Sequence, residues 1–188
     1  KAKEFLMHII EKTDDDLLKL ADLQFATQDY EMAKYSFGKL AEKTGDLQHF
    51  EMLGEIAFLQ EDFLEAAINY KKIIDKLGDD FANHKNIRKI SKENIIALYR
   101  IENRPKAERL QKKFKNTLTE NDENEIELHR GIYYIEMDKK KAKSIFTKLL
   151  KKQNLSQNVA ITAYFWRGVA FLKSNEKEEA KNDFTIVS

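Results

Sequence analysis

Four histidines, His8, His49, His84 and His129, are the residues of this 188-residue chain best suited to metal binding or proton transfer. None stands four residues from another histidine, the helical spacing that turns two imidazoles toward one zinc ion, and no His-Glu-x-x-His pattern occurs. Asp14, Asp15 and Asp16 make the densest carboxylate group, but the glycine and closing glutamate of a calcium loop do not follow them. They suit the start of a helix at Leu17, where carboxylates meet free N–H groups and the positive end of the dipole. The run Asn121 to Asn124 reads in the same way. With no cysteine in the chain, thiolate catalysis, disulfides and sulfur-ligated zinc are excluded. No glycine-rich phosphate loop, nucleophile elbow or triad-like grouping occurs, so the expectation is a protein without catalysis, metal or cofactor.

The basic stretch Arg104, Lys106, Arg109, Lys112, Lys113 and Lys115 would attract phosphates. Only Phe114 interleaves it, so base stacking has little to work with, and RNA binding is the least favoured reading.

The elements that position side chains here are helices. One proline, Pro105, and six glycines are too few for the frequent turns of an all-β chain, and 42% hydrophobic content is enough for a continuous core. Basic and acidic groups nearly cancel, 33 against 32, so net charge names no partner. No apolar run approaches the roughly 18 residues of a membrane span. The start of the chain lacks a signal-peptide layout. The segment reads as water-soluble, suited to cytoplasm or periplasm, with the compartment itself left open.

Phe50 to Ile73 divides into two amphipathic helices. Phe50, Leu53, Gly54 and Ala57 share one face of the first, Gln60 to Asp62 form a turn, and Ala66, Tyr70 and Ile73 share a face of the second. The pattern recurs. Leu17, Leu20 and Ala21 precede a turn at Thr27 to Asp29, with Ala33, Phe37 and Leu40 beyond it. Later copies carry Ala107 with Gln111 and Phe114, Ala142 with Phe146 and Leu149, and Ala180 with Phe184 and Val187. Tyr164, Gly168 and Phe171 supply the first helix of the last copy. The small residues of the second helices are 33, 41, 35 and 38 positions apart.

This spacing and its small-residue and aromatic positions resemble the tetratricopeptide repeat, whose period is about 34. The resemblance covers nearly the whole chain and implies an all-α, right-handed superhelical solenoid of antiparallel helix pairs, about eleven helices in all. The expected layout is a single solenoid over 1–188, with an orphan helix at 1–12 and pairs at about 14–44, 47–77, 86–118, 122–152 and 157–188. An orphan helix at the start suggests a piece of a longer protein. The chain departs from the pattern as well. The family's tryptophan, leucine, glycine and tyrosine set is never complete, Asn94 and Arg130 stand where apolar or small residues are usual, and insertions fall near Gly78 to His84 and Lys152 to Gln157.

In such a solenoid the first helices line a concave face, where the resemblance places a protein or peptide partner. Alignment on the small residues of the second helices brings Phe25, Phe58, Tyr99, Tyr134 and Leu172 to one register position. A row of rings would anchor an extended or helical segment. The same face is expected to carry Leu18, Asp22, Glu51, Glu55, Lys89, Lys92, Glu127 and Phe165. The competing reading makes the rings core, with the register one residue off. Leu18, Asp22 and Met52 occupy the places of the Lys, Asn and Arg set with which chaperone-binding members grip a terminal carboxylate, which argues against a chaperone tail as ligand.

Charge is segregated along the chain. Residues 1–80 are net −8, 85–115 net +8, 119–138 net −6 and 139–152 net +7. Such blocks would steer a partner or join copies head to tail, so self-assembly is the main alternative to partner binding. Solvated helix faces would give the same blocks.

Overall fold

The computed structural model describes residues 13–188, all helix and turn, and the orphan helix expected at 1–12 lies outside the described residues. The described helices are α1 (Asp14–Ala26), α2 (Tyr30–Thr44), α3 (Leu47–Leu59), α4 (Phe63–Leu77), α5 (Ile87–Arg100), α6 (Arg104–Lys113), α7 (Glu120–Met137), α8 (Lys139–Leu149), α9 (Gln157–Lys173) and α10 (Lys177–Val187). A 3₁₀ helix, Gly78–Asn83, occupies the first expected insertion. The chain divides into two compact units between Ile90 and Ser91, within α5.

Side-chain caps fix where several helices begin. Thr13 accepts from the Asp16 amide at 3.1 Å, and the Asp16 carboxylate accepts from the Thr13 amide at 3.3 Å. Thr119 and Asp122 close the same reciprocal box on α7. This corrects the sequence reading, which gave the capping role to the acidic runs themselves. Threonine is the cap, and the carboxylates lie inside the first turn, favoured by the free amides there.

Four of the five connections within helix pairs are the same turn. Gln28, Glu61, Glu102 and Asn175 sit at its crest with φ of 59°, 59°, 60° and 63°. In each the residue after the crest donates its amide five residues back: Asp29 to Gln24, Asp62 to Ala57, Asn103 to Leu98 and Glu176 to Phe171, at 2.8 to 3.0 Å. This is the left-handed helix ending usually given to glycine, carried here by four side chains with a Cβ. The α7–α8 connection is different. Asp138 alone joins the helices, with φ −154°, and its side chain accepts from the Lys141 amide at 3.0 Å.

In the first unit α1, α2, α3 and α4 pack in sequence, around Ala21, Ala33, Phe37, Leu40, Leu53 and Ile56. In the second, α7, α8, α9 and α10 do so around Ile135, Ala142, Phe146, Leu149, Ala163 and Ala170. Glycine sets the closest approach within three pairs. A Cβ on Gly54 would lie 2.5 Å from the Tyr70 ring, on Gly131 2.5 Å from Phe146, and on Gly168 2.7 Å from Phe184. No larger residue fits these contacts without displacing a ring, buried at Tyr70 and Phe146 and half-buried at Phe184.

That contact corrects the register of the fourth pair. The small residue of its first helix is Gly131 and not Arg130, because the turn after α7 is two residues shorter while α7 itself runs one residue further past the glycine.

Candidate functional site

In the first unit the proposed face comes from α1, α3 and the start of α5. Phe25 is half-buried, its ring 5.9 Å from Tyr30, and Phe58 is half-buried, edge-on to Phe63 at 5.6 Å. Asp22 is exposed and Leu18 packs on the core. Glu51 is buried and accepts from the Asn86 side chain. One turn further along α3, Glu55 pairs with Lys89 at 2.5 Å. Both carboxylates are therefore engaged by the chain entering α5.

In the second unit Lys92 pairs with Glu125 at 2.8 Å. Tyr99 is 1% exposed and Tyr134 4% exposed. Both belong to the row of rings expected to anchor a partner, and the structure buries them. For Tyr134 the reason is the shortened turn. It stands three residues past Gly131, as Ala57 does past Gly54, so it occupies the core position, whereas Phe58 lies one residue further on. Tyr99 does share the register of Phe25 and Phe58, its carbonyl accepting from the crest amide of Glu102 as theirs do from Gln28 and Glu61. It is enclosed nonetheless. Its hydroxyl donates to Gln111 at 3.3 Å, and burial raises the phenol well above its ordinary pKa.

The Tyr134 hydroxyl accepts from Arg104 at 2.9 Å and from Lys141 at 2.7 Å. Burial pushes that phenol up, but the two cationic donors outweigh it and hold the group below the usual phenol value. Tyr133 is half-buried and bridges the two rings, 6.2 Å from Tyr99 and 4.9 Å from Tyr134. Arg130 pairs with Glu127 at 2.5 Å. Nearby on α7, burial together with Arg100 and Lys92 depresses the His129 imidazole to about 4, which keeps it neutral at physiological pH.

Three of the exposed large apolar residues of the second unit lie on α9, while Met137 ends α7 and Ile186 is on α10. Ile161, Phe165 and Leu172 are 42%, 44% and 53% exposed. At offsets of four and eleven residues they fall on one stripe of the helix. Sequence reasoning had singled out two of the three. It missed Arg167, which makes a bidentate pair with buried Asp183 at 2.8 and 2.7 Å and lies over the Tyr164 and Phe171 rings. The signal was present: Arg167 and Asp183 have the sixteen-residue offset of Gly168 and Phe184, one position earlier.

Among the described residues no three His, Asp or Glu side chains gather as metal ligands, and no helix is long and apolar enough to cross a membrane.

No family model matches the sequence, and neither does any curated protein. Solved structures do resemble it. The crystal structure of YrrB, a TPR protein with an unusual peptide-binding site, matches with a TM-score of 0.55 at 17% identity, over 97% of this chain and 89% of that one. TTC0263, a thermophilic TPR protein of Thermus thermophilus, matches with a TM-score of 0.50 at 16% identity, over 93% of this chain and 90% of its own. The fold is thus that of the tetratricopeptide repeat proteins: all-helical, built of antiparallel helix pairs.

Proposed function

We propose that this chain is a non-catalytic scaffold that holds a protein or peptide segment against the first helices of its repeats. The observation carrying the reading is the apolar stripe of Ile161, Phe165 and Leu172 on α9. Large apolar side chains aligned on one helix face supply desolvated anchors for a partner's own apolar residues. The half-buried rings of Phe25 and Phe58, with exposed Asp22 beside them, give the first unit a smaller surface of the same kind. Glu55, Lys89 and Lys92 are committed to ion pairs and serve the rim, while Glu51, Tyr99 and Tyr134 hold the helices that carry the surface. The likeness to YrrB, described as having a peptide-binding site, favours a peptide ligand.

The test is selection of peptides on the immobilised protein, followed by affinity measurement in solution. Phe165→Ala with Leu172→Ala should weaken the selected peptides at least tenfold with an unchanged helical circular dichroism signal. Equal affinity in the double variant would remove α9 from the binding surface.

Self-assembly through the same stripe is the second reading, because exposed apolar side chains serve a second copy equally well. Light scattering over a concentration series separates the two, since a strict monomer at high concentration leaves the stripe to a different partner.

A further inference from the structure

Basic residues of α8 and of the segment just after it are gathered in one place. Lys141, Lys148 and Lys152 border a cleft of about 180 Å³ whose floor is Ile145 and Leu149, and Arg130 of α7 stands on the opposite wall. The cleft is well below the roughly 300 to 1,000 Å³ of small-molecule sites, so it fits a side chain of a larger partner better than a cofactor.

Its charge is poorly compensated from within. Arg130 is paired with Glu127 at 2.5 Å, the one carboxylate in the lining. Lys141 donates to the Tyr134 hydroxyl at 2.7 Å and Lys152 to the Asn124 side-chain oxygen at 2.6 Å, and both acceptors are neutral. Lys148 is exposed, and the whole stretch 139–152 contains seven lysines and no acidic residue. Four cations sharing one anion over an apolar floor focus a positive potential that a carboxylate would relieve.

We propose that the cleft between α7 and α8 docks an acidic segment of a protein partner, seating a Glu or Asp side chain among Arg130, Lys148 and Lys152 with its methylenes over Ile145 and Leu149. The inference rests on the scaffold reading in one respect, that the partner is a protein. Its lining contains no aromatic side chain on which nucleic-acid bases could stack. The exposed Ser144 hydroxyl at the rim adds a donor suited to a second carboxylate oxygen.

The probe is a fluorescein-labelled hexapeptide of four glutamates and two leucines, followed by fluorescence anisotropy. A glutamine-for-glutamate version and a uridine hexanucleotide serve as comparisons. The acidic peptide should bind in a salt-sensitive manner and the glutamine peptide should not. Lys148→Gln with Lys152→Gln should weaken the acidic peptide at least tenfold, whereas the charge-matched pair Lys112→Gln with Lys115→Gln should change it less than twofold. Equal losses in the two double variants would reduce the effect to diffuse charge and overturn the proposal, as would no peptide binding or tighter binding of the hexanucleotide. Salt-sensitive self-association that Lys148→Gln with Lys152→Gln abolishes would also overturn it, by making a second copy the occupant. Phe165→Ala with Leu172→Ala should leave acidic-peptide affinity within twofold, so failure here and failure of the α9 stripe are read separately.

Discussion

The α3–α4 and α7–α8 pairs are built on one contact and connected in two ways. Gly54 admits the Tyr70 ring and Gly131 admits the Phe146 ring, each so closely that an added Cβ would lie 2.5 Å from the ring. Between them lie three turn residues in the first pair and Asp138 alone in the second. The difference moves one side chain into the core. Four residues after Gly54 stands Phe58, half-buried, while buried Tyr134 stands three after Gly131 with its hydroxyl between two cations. The contact between a glycine and a ring therefore defines the repeat, and the connection adapts to it.

The sharpest test compares those two aromatics. Tyr134→Ala should cost about 3 to 5 kcal/mol in urea unfolding, because it empties a buried site and leaves Arg104 and Lys141 without their shared acceptor. Phe58→Ala should cost less, by about 1 kcal/mol or more, since Phe58 keeps more of its surface in water than Tyr134 and has no hydroxyl to hold cations. Equal losses would break the distinction.

Next in size is an acid sensitivity confined to the second pair of the comparison. The His129 imidazole titrates at about 4 in the folded chain against 6.5 when unfolded, so the unfolded chain takes up the proton first. Stability is then unaffected above pH 6.5 and falls by about 2 kcal/mol as pH drops from 6.5 toward 4, after allowance for the partial exposure of the ring. The residue two before the glycine in α3 is Met52. His129→Met should accordingly flatten this part of the stability profile, measured by thermal melts at successive pH values.

Gly54→Ala and Gly131→Ala should each cost about 1 to 3 kcal/mol by overpacking, despite the usual gain from alanine in a helix. A gain at either position would show that its ring yields.

The smallest effect separates the two connections. Glu61→Gly relieves a left-handed residue and should be neutral or stabilising by up to about 1 kcal/mol. Asp138→Gly relieves nothing, because φ there is −154°, and it removes the α8 cap, so a loss of a few tenths to about 1 kcal/mol is expected in melting experiments.

Much of the helical layout was legible because apolar spacing and turn chemistry agree there. Thr27 to Asp29 and Gln60 to Asp62 form turns as the sequence suggests, and the segment after Leu77 is a 3₁₀ helix where extra residues were expected. The cap at Thr13 was misassigned because three adjacent aspartates mask a single threonine. The register of the fourth pair was not legible from second-helix alanines, since Ala142 keeps its place whatever the length of the connection before it. Alignment on Gly54, Gly131 and Gly168 would have revealed it. Exposure is harder to read, because it depends on neighbours distant in sequence: Gln111 and Tyr133 meet the buried Tyr99, while Phe165 and Leu172 remain uncovered.

The four crest residues, Gln28, Glu61, Glu102 and Asn175, are all exposed, and the chain has no native cysteine. A cysteine placed at any crest would be the sole thiol and would project away from the packed faces, which makes these positions natural attachment points for dyes or spin labels. Gln28 with Glu61 would report breathing of the first unit, and Glu102 with Asn175 that of the second, with the packed helices left untouched.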